Sequence, residues 1–392
     1  MIQLSQALQI LSAQSFELKT ETVPLDDAFN RVLAEDVFAD RDYPPFNRSA
    51  MDGFAIQSSA LGIENQFTVI AKILAGEEII LPESIQTYHA VQIMTGASVP
   101  EPFDCVVKIE DCIVENDILK FNPQGLKKWS NIALKGEDTI ANNVVVSKNS
   151  EINLTKILAL SSLGKSEVLV YKLPQISLLT TGDEVVPVSQ NPSKFQIRNS
   201  NVHTIRSGLK RLGIQLQKHV HIGDNPEELS QAILDLQKTA DIIICTGGVS
   251  AGVADYMPNL LVQNGYEKIF HKVAIKPGKP IWFGKNNSTF VFALPGNPLS
   301  VLTTFKVFVE FFLVHILKKE SICKEVFLEH DVYKKIPLEE FIMVNVQNST
   351  CSKVVTNGSG DVISGIRANA LAHFPADLST ISAGSSIKIY EI

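Results

Sequence analysis

Between residues 176 and 317 the chain repeats one pattern four times: a short strand-like run, a polar loop, then helical spacing. The runs are residues 176–179, 215–220, 242–245 and 289–294. The loops that follow them are TTGDE (180–184), HIGD (221–224), TGGVSAGVAD (246–255) and PGNP (295–298). Val202, Ile205, Leu209 and Leu212 share one helix face within residues 201–212, and Gly213 stops that helix. Asn225 caps the next helix, with Pro226 at its first position and Glu228 completing a capping box. A short helix is expected at 258–263, and Asn297-Pro298 opens a long one. Strands alternating with helices of this length predict a doubly wound, mostly parallel sheet. Ligands of such sheets bind outside the carboxyl ends of the strands. Glu184, Asp224, Asp255 and the PGNP loop are therefore expected to face one crevice.

The remaining sequence has different periodicities. Leu4, Leu8 and Leu11 fall on one helix face, a second helix is expected over residues 25–33, and Pro44-Pro45 breaks the chain. Residues 46–138 carry short apolar runs separated by Gly, Pro and Asn, as a β-rich insertion would. Helical spacing returns near Leu154, Ile157 and Leu158, and this part is expected to pack back on the first 43 residues. Residues 321–392 revert to short alternating runs that fit a small β-barrel. The expected organisation is a multidomain α/β protein. Residues 1–43 plus 139–170 form a helical and extended N-terminal domain, 44–138 an inserted β-rich domain, 171–320 the α/β domain, and 321–392 a C-terminal β-barrel.

Composition excludes several classes. The net charge of −7 argues against a general nucleic-acid binder, which needs a basic footprint. The five cysteines show no metal-binding spacing and are odd in number, so reduced thiols are expected rather than disulfides or structural zinc. The N-terminus lacks the basic region and cleavage site of a signal peptide. The apolar stretch 299–317 is interrupted by Lys306, Glu310 and His315, which favours a buried core helix over a membrane span. A cytoplasmic location without membrane contact is expected.

The loops carry the chemistry. Gly247, Gly248 and Gly252 allow a ligand to approach backbone N–H groups, and Ser250 adds a hydroxyl donor, although the spacing matches neither GxGxxG nor a P-loop. In IKPGKP (275–280), Lys276 and Lys279 flank a stiff turn and suit phosphate or another oxyanion. Carboxylates, lysines and a glycine cradle together suggest Mg²⁺, which takes a few carboxylates alongside substrate phosphates. In PPFNRSAMDGFA (44–55), Asp52-Gly53 reads equally well as a hairpin turn. MTGASVP (94–100) is a similar loop with Thr95 as its polar donor.

These segments, with TTGDEVVP, CTGGVSAGVADY and LPGNPLS in this order, resemble the molybdopterin molybdenumtransferase family, which includes the E-domain of gephyrin. The resemblance runs from about residue 5 to the C-terminus. It implies insertion of molybdenum from molybdate into adenylylated molybdopterin, with Mg²⁺ as cofactor and AMP leaving. It also implies an elongated homodimer of four domains with a composite active site, the N-terminal domain dimerising and the α/β domain binding molybdopterin, and transient contact with the molybdopterin adenylyltransferase. By motif match, Asp52, Thr95, Glu184, Asp224 and Asp255 are the catalytic positions. Gly247, Gly248, Ser250, Gly252, Lys276, Lys279, Pro295 and Pro298 are the substrate-binding ones, with Mg²⁺ near Asp255 or Glu184. Two alternatives stay open: adenylylation of molybdopterin by ATP, and a non-catalytic pterin-binding scaffold.

The chain departs from the family pattern in two places. Val253 stands where an acidic residue is frequent. The C-terminal Gly-Arg-x-Glu-Phe-x-Arg pattern reads PLEEFIM (337–343), with Leu338 and Met343 in place of both arginines. Arg367 is a candidate substitute. If Asp255 binds the metal, Asp255→Ala abolishes Mg²⁺-dependent turnover while leaving the oligomeric state unchanged. Turnover at the wild-type rate, with gel filtration as control, removes the metal role.

Overall fold

The structure is a computed structural model that describes residues 1–392 apart from Asn65, Ile79, residues 250–255 and residues 321–323. It divides into two compact units. One holds Met1–Ala34, Asn149–Asn153 and Leu169–Ile392; the other holds Glu35–Lys148 and Leu154–Val168.

In the larger unit a six-stranded sheet contains β1 (Ile176–Thr181), β2 (Leu216–Ile222), β3 (Ile242–Thr246), β4 (Glu267–His271), β5 (Trp282–Lys285) and β6 (Phe290–Leu294), in the order β2-β1-β3-β6-β5-β4. The first four of that order are parallel, and β5 and β4 complete the sheet antiparallel. Both faces are covered, so alternate residues of one strand join different cores. Ile242 and Ile244 of β3, with Phe292 and Leu294 of β6, meet helices α1 (Leu4–Ser12), α2 (Asn201–Arg211) and α5 (Pro298–Ile316). Ile243, Cys245, Val291 and Ala293 meet α3 (Pro226–Leu236) and α4 (Met257–Gln263). The doubly wound expectation is met. Helix α5 is long and apolar enough to cross a membrane, but 72% of its apolar window is buried within the fold. It is a core helix, and Phe305, Phe308 and Phe312 are its buried ridge.

Beyond residue 323 the strands β7 (Lys324–Leu328), β8 (Glu339–Gln347), β9 (Thr350–Lys353), β10 (Ala370–Phe374) and β11 (Ser386–Glu391) pair in the order β8-β9-β7-β11-β10. A further β8–β10 pairing closes the ring. A short parallel pairing of Ile275 and Lys276 with Glu339 and Glu340 ties this closed sheet to the loop after β4. The smaller unit holds its own six-stranded sheet, including Gly53–Ile56, His89–Ile93 and Cys105–Lys108.

Several local expectations fail for identifiable reasons. Residues 25–33 make only a 3₁₀ turn, Leu25–Asp27, before Asn30 takes a positive φ of 63°. The backbone N–H groups of Asn30, Leu33 and Ala34 then donate to the carbonyls of Ile152, Ser150 and Leu169, so non-local pairing displaces the helix. Helix Leu154–Ser162 forms, but Leu154 and Leu158, assigned to its buried face, are 75% and 68% exposed, while Leu160 is buried. Asn225 caps α3 through Glu227 N and Glu228 N, but its own N–H donates to the Gly223 carbonyl. The reciprocal half of the capping box is therefore absent.

Gly208 lies inside α2, where alanine would be favoured by helix propensity by about 1 kcal/mol. A Cβ there would sit 2.3 Å from Phe305 Cε1, and Phe305 is only 1% exposed. Gly208→Ala is therefore expected to destabilise the protein, by about 1–3 kcal/mol. Urea denaturation checks the sign: a stabilised variant would show that the phenyl ring yields.

Candidate functional site

The strands of the parallel sheet are apolar along their length and turn polar at their carboxyl ends. Thr180, Thr181 and Thr246 are all buried there. Thr181 Oγ1 donates to Asp224 Oδ1 at 2.9 Å, and Asp224 N donates to Asp183 Oδ1 at 3.0 Å, joining the loops after β1 and β2. The Glu184 carboxylate is exposed and folds back over Gly182, where a Cβ would lie 2.9 Å from its Oε2. Gly247 opens the loop after β3 with φ 95°, and a Cβ on it would meet Thr181 O and Cγ2 at 2.9 Å. Its N–H donates to the Leu294 carbonyl at 3.2 Å, and Gly296 lies against its Cα. The loops after β1, β2, β3 and β6 thus meet, as the sequence pattern predicts. Ser250, Gly252 and Asp255, and with them Val253, lie outside the described residues. Among the described residues no three His, Cys, Asp or Glu groups gather as a metal cage.

The lysines occupy a different wall. A cavity of about 900 Å³ is lined by Lys276, Lys279, Pro295, Gly296 and Asn297 on one side and by the C-terminal barrel on the other. Glu184, Asp224 and Pro298 do not line it, so the single expected crevice is resolved into an acidic loop cluster and a basic cavity that meet at Gly247 and Gly296. Lys276 is not a free cation: its Nζ pairs with Glu340 Oε1 at 2.9 Å. Pro295 is buried, and Pro298 is the first residue of α5. The N–H of Leu299 in the first turn of α5 already donates to the Ser359 carbonyl at 3.0 Å.

In the smaller unit, Asp52 and Thr95 come together. Asp52 Oδ1 accepts from both Thr95 N and Thr95 Oγ1 at 2.7 Å. The two loops are zipped by Ser49 N to Ala97 O at 2.9 Å and Gly96 N to Ser49 O at 2.8 Å. Gly53 is no hairpin turn. It starts a strand whose neighbour approaches so closely that a Cβ would lie 1.8 Å from Val107 O. The Thr95 N–H and then its hydroxyl hold the Asp52 carboxyl below the usual aspartate range.

The sequence alone missed several groups. Thr180 Oγ1 lies within 2.9–3.1 Å of His221 Nδ1, His219 Nε2 and Asn199 Nδ2, and burial, followed by Arg206, holds His219 below its ordinary value. Asp183 and Thr181 were visible in TTGDE but not distinguishable from turn residues. The described cysteines Cys105, Cys112, Cys245 and Cys351 are free, and burial pushes Cys245 up to about 12, which keeps it a thiol.

Known proteins identify the family. The family model for the MoeA N-terminal region (domain I and II) matches residues 2–164, and that for a probable molybdopterin binding domain matches residues 177–315. A molybdopterin molybdenumtransferase of Staphylococcus aureus (strain MSSA476) is 32% identical over 400 residues, covering 99% of this chain and 95% of its own. The chain belongs to the molybdopterin molybdenumtransferase family. A second family member, from Synechocystis, is 34% identical over 77% of this chain and 78% of its own. The crystal structure of the molybdopterin biosynthesis MoeA protein from Pyrococcus horikoshii OT3 superposes with a TM-score of 0.85 at 26% identity, covering all of both chains. As a family member the protein is a transferase of molybdenum cofactor biosynthesis. Leu338 and Met343, which replace the arginines of the family pattern, both line the lysine cavity; Arg367 does not, and Lys353 does.

Replacing Thr95 by Val removes one of the two bonds to Asp52 and leaves the backbone one. Because the folded-state carboxyl is depressed, its stabilising contribution is present above the ordinary aspartate value of ~3.9 and is lost as pH falls through the depressed one. Thr95→Val is expected to move the Asp52 titration up toward the ordinary value. A ¹³C carboxyl NMR titration reads this directly, and an unmoved midpoint means the hydroxyl does not hold the charge.

Proposed function

We propose that the protein transfers molybdenum from molybdate to adenylylated molybdopterin in a Mg²⁺-dependent reaction that releases AMP. The observation that carries this reading is the junction at Gly247 and Gly296. There the carboxylate-bearing loops of the sheet adjoin a cavity lined by lysines. Both substrates are anions, and lysine ammonium groups compensate oxyanion charge without demanding a fixed geometry.

The division of labour follows from the residues. Glu184 presents an exposed carboxylate over Gly182, and it would hold Mg²⁺ together with Asp255. When bound, Mg²⁺ supplies charge stabilisation as the phosphoanhydride breaks. Thr181 orients Asp224 by donating to its Oδ1. Lys279 faces the cavity from the turn after residue 276, while Lys276 must exchange Glu340 for a substrate oxygen if it is to take part. Asp52, held below the usual aspartate range by Thr95, is a further catalytic position in this reading. The same reading takes the working enzyme as a homodimer that receives its substrate from the molybdopterin adenylyltransferase.

The test supplies adenylylated molybdopterin, Mg²⁺ and molybdate, and measures AMP release together with reconstitution of an apo-molybdoenzyme. AMP release that requires both molybdate and Mg²⁺ is expected. Efficient adenylate formation from molybdopterin and Mg-ATP without molybdate would instead make the protein an adenylyltransferase. Tight binding of adenylylated molybdopterin with no AMP release would make it a scaffold.

A further inference from the structure

We infer that Lys353, on the C-terminal barrel, is a substrate-binding residue that pairs with Lys279 across the cavity to hold a doubly negative oxyanion group. The identity of that anion rests on the proposed function, but the argument for the residue comes from charge and connectivity.

Among the described residues, four ionisable side chains line the cavity: Lys276, Lys279, Lys353 and Glu340. The pair of Lys276 with Glu340, whose side chain is only 16% exposed, removes one charge of each sign. Lys279 and Lys353 are left exposed at the cavity wall, with no ion pair among the described residues, so the described lining carries two net positive charges. Leu338 and Met343 add apolar surface to walls that also carry Asn297, Ser300, Thr303, Thr356 and Ser359, none of which is charged. Nor does the helix end supply a spare donor at Leu299, whose N–H is already bonded to Ser359. Among the described residues, Lys279 and Lys353 are therefore the unpaired charges available to an entering dianion.

The chain holds Lys353 in place from both sides. It ends β9 opposite Val344, and the next N–H, of Val354, donates to the Met343 carbonyl at 2.8 Å. Residues 354–359 then run to the start of α5. There Ser359 accepts through its hydroxyl from Asn297 Nδ2 at 3.0 Å as well as through its carbonyl from Leu299. Lys353 thus projects from a segment anchored at one end in the barrel and at the other on the PGNP turn. An anion shared by Lys279 and Lys353 bridges the two walls. Molybdate and the phosphate of adenylylated molybdopterin share the required chemistry.

The experiment compares wild type with Lys353→Met and Lys353→Arg. Lys353 is exposed, so both variants are expected to keep the wild-type melting temperature. In the AMP-release assay, Lys353→Met should raise the KM for one of the two anionic substrates about ten-fold or more with kcat little changed, as loss of a charge-assisted contact does. Lys353→Arg should recover most of it. Which KM moves tells molybdate from the phosphate. Calorimetric titration with molybdate and, separately, with AMP reads the same site without turnover. If both KM values and both affinities stay within about two-fold of wild type, or if arginine fails to rescue, Lys353 is not a substrate-binding residue. If wild type releases no AMP yet binds either probe anion, and Lys353→Met binds it about ten-fold more weakly, the transferase proposal falls and Lys353 stands.

Discussion

The larger unit depends on the alternate burial of β3 and β6. Ile242 and Ile244 are committed to one helix layer, and Ile243 and Cys245 to the other, with none of the four exposed. Phe292 packs its ring 4.6 Å from Phe283 and 5.4 Å from Phe312, so strand and helix α5 share one aromatic cluster. A sheet buried on both faces has no solvated side on which polar chemistry could sit. Charged and hydrogen-bonding groups are driven to the strand ends, and the loops there are where the sequence spends its Gly, Thr, Asp and Lys residues.

The glycine after β3 shows how close packing and chemistry meet. Gly247 lets three loops close to contact distance, because any side chain would collide with the Thr181 carbonyl. That contact brings the Thr181–Asp224 hydrogen bond next to the PGNP turn. The turn in turn leads to Ser359 of the barrel through Asn297. A chain of short contacts therefore links an acidic cluster built by one sheet to a basic wall shared by the loop after β4 and the barrel.

Much of this was legible in the sequence. The repeated strand–loop–helix pattern placed β1, β2, β3 and β6 within one or two residues, and it predicted that their loops would meet. Asp52 and Thr95 entered as site positions only through the family resemblance, and their hydrogen bond to each other, across 43 residues, is a finding of the structure. The expected helix over residues 25–33 failed because the chain's donors found non-local carbonyl partners, a choice that local propensity cannot register. The stripe Leu154 and Leu158 was real as periodicity and still uncovered within its unit.

The sequence by itself determined the layered α/β architecture, the positions of the polar loops and the family, because period and turn chemistry are local properties of the chain. Tertiary structure alone decided which charges remain available. Lys276 and Lys279 are equivalent in IKPGKP, yet a two-residue pairing with β8 sets Glu340 against the first and leaves the second with no ion pair among the described residues. Lys353 carries no motif, and it becomes part of the cavity only because β8 and β9 pair and the chain beyond them is bonded to the start of α5. Electrostatic compensation depends on distances between residues far apart in the chain, and those distances exist only once the barrel and the sheet have packed.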